Sequence, residues 1–600
     1  MLKKTKLRYN EYYNIQKVYD ELYQQSRNNN NFYKLIEIIG SEQNIRLAYK
    51  NLRSNSGSRT AGTDGLTIQD IGCMADAELI DRVRKSLDDY QPKPVRRVYI
   101  PKPGSDKKRP LGIPTIWDRL VQQCILQVLE PICEPKFHNH SYGFRPNRSA
   151  HHAVSRMISL INVGCNYYCV DIDIKGFFDN VNHGKLLKQL WTLGIRDKRL
   201  LCIISKLLKS EIAGEGIPSR GTPQGGIISP LLSNVVLNEL DWWISDQWET
   251  YQPNESKNYS FRSYARRHGI MKEGYLVRYA DDFKIMCKTY KDAQRFYHAT
   301  EKFLKERLGL EISPEKSKVT NLKKNSTDFL GFKVKVHRKG KSRHGYVACT
   351  DMSDKAKAKV TKNVRDNIIR IQRHTTVENI QRYNSAILGI QNYYKIATNV
   401  YNNLDRIGYS LLRTHYNRLR IIAKIVRFSE TPTEFKEKTK GLTANKKIYQ
   451  IKRINLLPLT GVHHTPPMNF SQTICDYTDE GRKKIHANQR AVEALKLSAL
   501  QMHFEESETV ELRSNATSRY VAQYVKCYIT GEELEPQNAK VIKIDPNKRD
   551  GSDSYSNIVL IDRNFEQLIY EDVEILKLLN KQAIEHLNRL RKARNLKPIK

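Results

Sequence analysis

Two aspartates stand side by side at 281 and 282, in the stretch Leu276-Val-Arg-Tyr-Ala-Asp-Asp-Phe-Lys-Ile-Met-Cys287. Apolar, strand-like runs flank them, so the stretch reads as a tight hairpin with both acids at its tip. Carboxylates this close repel and raise each other's pKa unless a cation neutralises them. A solvated Asp-Asp turn would account for the pair alone, but a second acidic run shifts the balance. In Tyr168-Cys-Val-Asp-Ile-Asp-Ile-Lys-Gly-Phe-Phe-Asp179 acid and apolar residues alternate, so Asp171 and Asp173 leave one strand on the same side. One of the two can meet the hairpin acids and complete an oxygen-rich site for Mg²⁺. Three carboxylates from two strands are the donor set of a two-metal clamp for in-line phosphoryl or nucleotidyl transfer.

Elements able to position these acids follow from the patterning. Residues 1–44 read as a polar helical extension. From 45 to 344 short apolar strands alternate with longer helical stretches, an α+β pattern. Gly and Pro crowd 101–114 and 214–230, marking loops that touch substrate. Within 93–111, KPVRRVYIPKPGSDKKRPL reads as a basic β-hairpin. Over 345–425 the spans 355–373, 377–396 and 401–425 carry apolar residues at helical spacing, with a basic opposite face. Residues 426–519 read as a basic linker. Strand-like runs return over 520–575, and 576–600 reads as a basic helix.

The 600 residues exceed one core, so two to four domains are expected. No run of about eighteen apolar residues predicts a membrane span, and the N-terminus lacks the apolar core of a signal peptide. The ten cysteines include no CxxC pair; Cys165 and Cys169 are the closest two, a spacing that alone is weak evidence for a metal site, and no disulfide framework is expected. The net charge is +37, from 101 basic and 64 acidic residues. Such an excess repels itself unless the protein lies against a polyanion. Its interleaving with 33 tyrosines points to RNA or DNA as that partner.

Tyr279-Ala-Asp-Asp282 with the preceding Asp-x-x-x-Phe-Phe resembles the heart of reverse transcriptases. Arg109-Pro-Leu-Gly-Ile-Pro-Thr, Ser141-Tyr-Gly-Phe-Arg-Pro-Asn-Arg-Ser, Gly221-Thr-Pro-Gln-Gly-Gly-Ile-Ile-Ser-Pro and Asp328-Phe-Leu-Gly-Phe stand in register with it. Together, over about residues 45–425, they resemble the group II intron-encoded reverse transcriptase/maturase family. The resemblance implies a right-hand polymerase, with fingers and palm over 45–344 and an α-helical thumb, or maturase X region, over 345–425, and it makes the linker over 426–519 a DNA-binding region. It makes Asp173 the first-strand metal ligand beside Asp281 and Asp282, and leaves Asp171 as a neighbouring support. Phe178 matches the aromatic that stacks under the incoming sugar and excludes a 2′-hydroxyl, while Phe177 beside it can serve as the ordinary core aromatic. Gln224 and Gly225 resemble the loop beneath the nucleotide, and Lys102 and Arg109 the fingers residues that hold the triphosphate. Nucleic-acid contacts are implied at Arg145, Tyr279, Phe329, Leu330, Gly331, Tyr393 and Lys395.

Residues 520–575 resemble an HNH nuclease that has lost its chemistry. Lys543 stands where a histidine base belongs, Glu566 and Tyr570 occupy a later histidine pair, and Asn557 survives. A lysine is cationic at neutral pH and repels a metal, so the expectation is a degenerate HNH-like α+β module that contacts DNA without cutting it. The whole chain is expected to be an intron-encoded RNA-directed DNA polymerase and maturase. Its partners would be group II intron RNA, target DNA, a primer and dNTPs, with no membrane, and its cofactor two Mg²⁺ ions, which Mn²⁺ can replace. The resemblance implies a bacterial, cytoplasmic protein that joins the nucleoid when bound to target DNA. A splicing-only maturase would be expected to lose a metal-site acid, whereas all three are present. A host-adopted reverse transcriptase of defence or repair would not need the maturase-like helices. A DNA-directed polymerase fits the three acids but not the accompanying motifs. The role of the 245–275 insertion stays open.

Overall fold

A computed structural model describes residues 8–101, 108–250, 264, 268, 272–439, 441–487, 492–505, 507–548, 552–571 and 579–599. Lys102 and most of the 245–275 insertion lie outside the described residues. The chain divides into two compact units, one of residues 1–137, 176–236 and 472–600, the other of 138–175 and 237–471.

The first unit is built around helices α1 (Gln16–Arg27), α2 (Glu42–Arg53), α3 (Asp76–Asp88) and α4 (Ile116–Cys133). Helix α4 starts at Thr115, whose hydroxyl accepts from the Asp118 N–H and donates to its carboxylate at 2.6 Å. It is buried on nearly every face, so its polar side chains need partners within the core. Gln127 donates to Asn44 Oδ1 at 2.8 Å and the Tyr19 hydroxyl donates to the same oxygen at 2.6 Å, tying α1, α2 and α4 together. Strands β1 (Arg96–Pro101) and β2 (Lys108–Ile113) form an antiparallel pair where the basic hairpin was expected.

The C-terminal residues of this unit pack on its N-terminal helices. Arg513, in the helix Val510–Ala522, meets the buried Asp76 at 2.5 Å, and Arg46 meets the same carboxylate at 2.6 Å. Arg53 pairs with Glu511 at 2.5 Å, and Ala75 bridges Thr509. That helix runs across the boundary expected at 519/520. Beyond it, Ala539–Lys543 pairs antiparallel with Ile558–Asp562, and the helix Lys581–Lys592 closes a small core around Ile542, Ile561 and Leu587.

The second unit opens with helix α5 (Ala150–Asn162). Strands β3 (Tyr168–Ile172), β4 (Gly274–Tyr279), β5 (Asp282–Cys287) and β6 (Lys318–Asn321) form an antiparallel sheet in the order β4-β5-β3-β6. A second sheet joins β7 (Thr327–Phe329), β8 (Phe332–Arg338) and β9 (Tyr346–Met352). Four helices follow: α6 (Asp354–Arg373), α7 (Val377–Tyr394), α8 (Val400–Ser410) and α9 (Leu412–Leu419). Cys169, Val277 and Met286 from the first sheet share one core with Phe332, Val334, Val364, Ile368, Ile387 and Leu404. The helix predicted over 401–425 breaks at Leu411 and ends early, because Lys424–Arg427 leaves it to pair with Lys447–Ile451. Ile421, Ile422, Ile425 and Val426 supply the β-branched residues that favour that exit. No described helix is long and apolar enough to cross a membrane.

Candidate nucleotidyl-transfer site

Strand β4 pairs with β5 so that Tyr279 opposes Asp282, leaving Ala280 and Asp281 as a two-residue turn. Ala280 sits at φ 59°, as the first position of a II′-type hairpin turn requires, and a non-glycine residue is strained there. Segment 138–145 packs against this turn. The Tyr142 N–H donates to the Arg278 carbonyl at 2.9 Å and the Arg278 N–H to the His140 carbonyl at 3.0 Å. A Cβ on Gly143 would lie 2.2 Å from the Ala280 nitrogen, so only glycine allows the approach. From beneath, the fully buried Arg278 donates to Asp241 through Nε at 2.7 Å and Nη2 at 2.6 Å, and through Nη1 to the Ala280 carbonyl at 2.8 Å.

Strand β3 runs on the other side of β5, with Asp171 opposite Lys284 and Ile172 opposite Phe283. Continued by one residue, this register brings Asp173 beside Asp282. Asp281 is exposed at the tip and Asp282 half-buried next to it. The Asp171 carboxylate is spent inside: it takes Lys284 Nζ at 2.5 Å and the Thr327 hydroxyl at 3.2 Å. The same Nζ stands 3.3 Å from Asp282. Asp173 donates its N–H to Ser317 Oγ at 3.1 Å and pairs through Oδ2 with Lys316 at 2.9 Å.

Burial raises the Asp282 carboxyl; Lys284 pulls it back down, while Asp171 and Asp281 push it up. Burial alone would lower Lys284, but Asp282 and Asp171 outweigh it and hold the ammonium charged. The hydrogen bond to Asp173 raises Lys316.

The donor chemistry fits a hard divalent cation: three carboxylates offer only oxygen ligands. Ammonium groups already stand against two of them, Lys316 on Asp173 and Lys284 on Asp282. Among the described residues no group of three His, Cys, Asp or Glu forms a ready metal cage. The acids therefore share a sheet end without closing on one point.

The nucleotide-binding candidates gather in the first unit. Phe177 is buried, whereas its neighbour Phe178 is half-buried and lines a cleft of about 390 Å³ together with Arg97, Tyr99, Glu215, Arg220 and Gln224. Glu215 holds Arg97 through two hydrogen bonds of 2.9 and 2.7 Å and accepts from the Tyr99 hydroxyl at 2.9 Å. Gln224 donates to Asp179 at 3.2 Å and accepts the Gly112 N–H on its carbonyl at 2.7 Å. Gly225 has φ 121°, and a Cβ there would lie 2.4 Å from the Gly112 oxygen. The Pro-Gln-Gly turn thus clasps β2, whose exposed Arg109 lies opposite Ile100.

Residues 100–334 match the family model described as reverse transcriptase (RNA-dependent DNA polymerase). The group II intron-encoded protein LtrA of Lactococcus lactis subsp. cremoris is 34% identical over 444 residues, 63% of this chain and 72% of that protein. This chain belongs to the group II intron-encoded reverse transcriptase family. Protein YkfC of Escherichia coli is 33% identical over 343 residues, covering 54% of this chain and 88% of that protein. The mitochondrial nuclear intron maturase 2 of Arabidopsis thaliana is 30% identical over 183 residues, 23% of this chain and 24% of that protein. The function that the motifs implied, reverse transcription joined to intron maturation, is the function of this reverse transcriptase.

Several residues expected at a nucleic-acid surface of the reverse transcriptase serve its interior. Arg145 is buried and donates to the His138 and Ser141 carbonyls at 2.6 and 3.0 Å, so it braces its own loop. Phe329 is a core residue. Leu330 and Gly331, at φ 52° and 83°, form the tight turn between β7 and β8. The Tyr393 hydroxyl donates to the Leu330 carbonyl at 2.8 Å, and its ring stacks on Phe332 with centroids 5.5 Å apart, pinning α7 to that turn. Tyr279 and Lys395 are half-buried.

Sequence reasoning missed Lys284, Lys316 and the Arg278–Asp241 pair. Only the alternation of β5 could have signalled Lys284, since Asp282 and Lys284 share a face. In the C-terminal residues, Lys543 pairs with Asp553 at 3.0 Å and Glu566 with Lys540 at 2.6 Å. The buried Asn557 donates to the Asp545 and Ser552 carbonyls at 3.0 and 2.9 Å and accepts the Asp545 N–H at 2.9 Å. Tyr570 is exposed, under the Arg594 guanidinium.

Proposed function

We propose that this reverse transcriptase copies RNA into DNA at the end of the β3–β4–β5 sheet, with Asp173, Asp281 and Asp282 as its metal-holding carboxylates. The observation that supports this reading is the β3–β5 pairing up to Ile172 and Phe283, so that Asp173 and Asp282 are the next residues on adjacent strands, with Asp281 on the turn beside them. Two Mg²⁺ ions held there would activate the primer 3′-hydroxyl and steady the leaving pyrophosphate. The chain's own residues do the rest. Lys284 fixes Asp282 from below, and Arg278 holds the carbonyl of the turn, so the carboxylates stand preorganised. Phe178 supports the incoming sugar and leaves no room for a 2′-hydroxyl. Gln224 and Gly225 shape the floor of the nucleotide cleft, while Arg109, with Lys102, takes the triphosphate.

In this reading β1, β2 and their neighbouring helices act as fingers, the first sheet of the second unit as palm, and α6–α9 as thumb. As a maturase the chain binds its intron RNA, then acts on target DNA with that RNA. The test is extension of a DNA primer on an RNA template with Mg²⁺, comparing wild type with Asp281→Asn. Loss of a charged group aimed at the transition state should slow extension by about 10²-fold or more while template binding persists. Wild-type protein that binds intron RNA tightly yet extends nothing would favour the splicing-only reading.

The C-terminal module is proposed as an HNH-like remnant that touches DNA without cutting it. Support comes from Lys543, tied to Asp553, and from Asn557, whose amide is spent on backbone. Metal-dependent nicking of duplex DNA that is abolished by Asn557→Ala would overturn that part.

A further inference from the structure

Helices α8 and α9 are amphipathic in an unusual way. Their inner side carries Leu404, Ile407, Leu411 and Leu419, all buried. On the opposite side, at 100° per residue, Arg406, Tyr409, Arg413, Tyr416 and Arg420 fall within an arc of about 80°. The break at Leu411 keeps a near-helical backbone (φ −97°, ψ −5°), and Arg420 follows α9 at φ −53°, ψ −31°, so the phase carries through. Tyr409 is 77% exposed and Tyr416 53%. The Arg420 guanidinium lies 5.9 Å from the centre of the Tyr416 ring. Among the described residues Arg406, Arg413 and Arg420 form no ion pair, and Asp405 is the only acid in the two helices. Beyond the stripe Leu412 and Ile421 are also exposed. A solvated basic face has no need of tyrosine rings, whereas rings interleaved with cations are surfaces on which unpaired bases stack.

We propose that this alternating Arg-Tyr-Arg-Tyr-Arg stripe is a docking site for single-stranded RNA. Bases stack on Tyr409 and Tyr416, and phosphates pair with the three arginines. Aromatic rings interleaved with cations bind unpaired nucleotides, whose faces are open, whereas a duplex keeps its bases stacked on one another. The proposal deepens the RNA-binding part of the function above and names the element of RNA that this face takes.

The test uses the full chain, with fluorescence anisotropy of a short labelled oligouridylate and, separately, of an RNA duplex. Tyr409→Ala with Tyr416→Ala, which removes two stacked bases, should weaken the oligouridylate by about thirtyfold or more and leave the duplex nearly unchanged. The Tyr→Phe pair should keep wild-type affinity, since stacking needs the ring and not the hydroxyl. Replacing the three arginines by Gln should lower the salt slope of single-strand binding by about 2. Oligouridylate affinity that survives the alanine pair, equal losses for single strand and duplex, or a phenylalanine pair as weak as the alanine pair would each overturn the assignment. Primer extension by the same wild-type preparation separates the readings. Extension with tyrosine-independent affinity sinks the stripe alone, and tyrosine-dependent affinity without extension sinks the polymerase reading alone.

Discussion

Replacing Lys284 by Met removes the buried cation lodged between the Asp171 and Asp282 carboxylates while keeping most of its volume. Its side chain is 3% exposed, against 16% for Asp171 and 41% for Asp282. Breaking a buried ion pair from one side costs about 3–5 kcal/mol. Both acids keep some access to water, so about 2–3 kcal/mol is the expected loss here. For a domain of a few hundred residues about 1 kcal/mol moves Tm by roughly 2–4 °C, so the variant should melt about 5–10 °C below wild type. Scanning calorimetry on Lys284→Met, Asp171→Asn and the double variant reads this directly. The double variant should recover part of the loss, because Asp171→Asn removes the carboxylate that Lys284→Met strands. Added Mg²⁺ should raise the Tm of Lys284→Met more than that of wild type, since two carboxylates are freed for it. A Lys284→Met protein that melts with wild type, or strictly additive single variants, would refute the reasoning.

Three further outcomes are expected. Gly143→Ala forces a Cβ into the Ala280 backbone and should cost about 1–3 kcal/mol as well as slow primer extension; unchanged melting and extension would show that the turn tolerates the shift. Burial pulls His138 down to about 4 and His140 to about 2, with Arg156 adding to the latter. Both are neutral when folded and titrate near 6.5 when unfolded, so the unfolded chain binds more protons below that pH. Stability is then full above about pH 6.5 and falls toward pH 5 by at most about 1.4 kcal/mol per pH unit for each histidine. A His138→Asn/His140→Asn variant should flatten the stability profile in that window, and an unchanged slope would contradict the assignment. Arg513→Ala leaves the buried Asp76 with Arg46 alone and should cost about 3 kcal/mol; it should open the 472–522 segment to limited proteolysis, and a wild-type digestion pattern would count against that strap.

The hairpin that carries Asp281 and Asp282 was legible because its signal is local. Alternation fixes which residues share a face, and a two-residue turn fixes where Asp281 and Asp282 stand. The helices over 355–373 and 377–396 were legible from their period for the same reason. What failed was the sorting of residues by surface or interior within a motif. Arg145, Phe329 and Tyr393 carry side chains that suit nucleic acid equally well in composition, but burial depends on contacts distant in sequence, such as Tyr393 on Leu330. Lys284 was overlooked because a lysine reads as solvated unless its cross-strand neighbours are known. The C-terminal boundary failed for a related reason: Asp76 and Arg513 meet across more than four hundred residues of chain, which no local pattern announces.

The first unit is assembled from three separated stretches of sequence, and the chain passes between the units four times. A deletion that removed residues 472–600 would therefore strip Arg513 from Asp76 and Glu511 from Arg53, and would damage the unit that holds Phe178 and Gln224. A segment of this kind completes the unit it packs in, so its loss would reach Phe178 and Gln224 through the fold and not through any chemistry of its own.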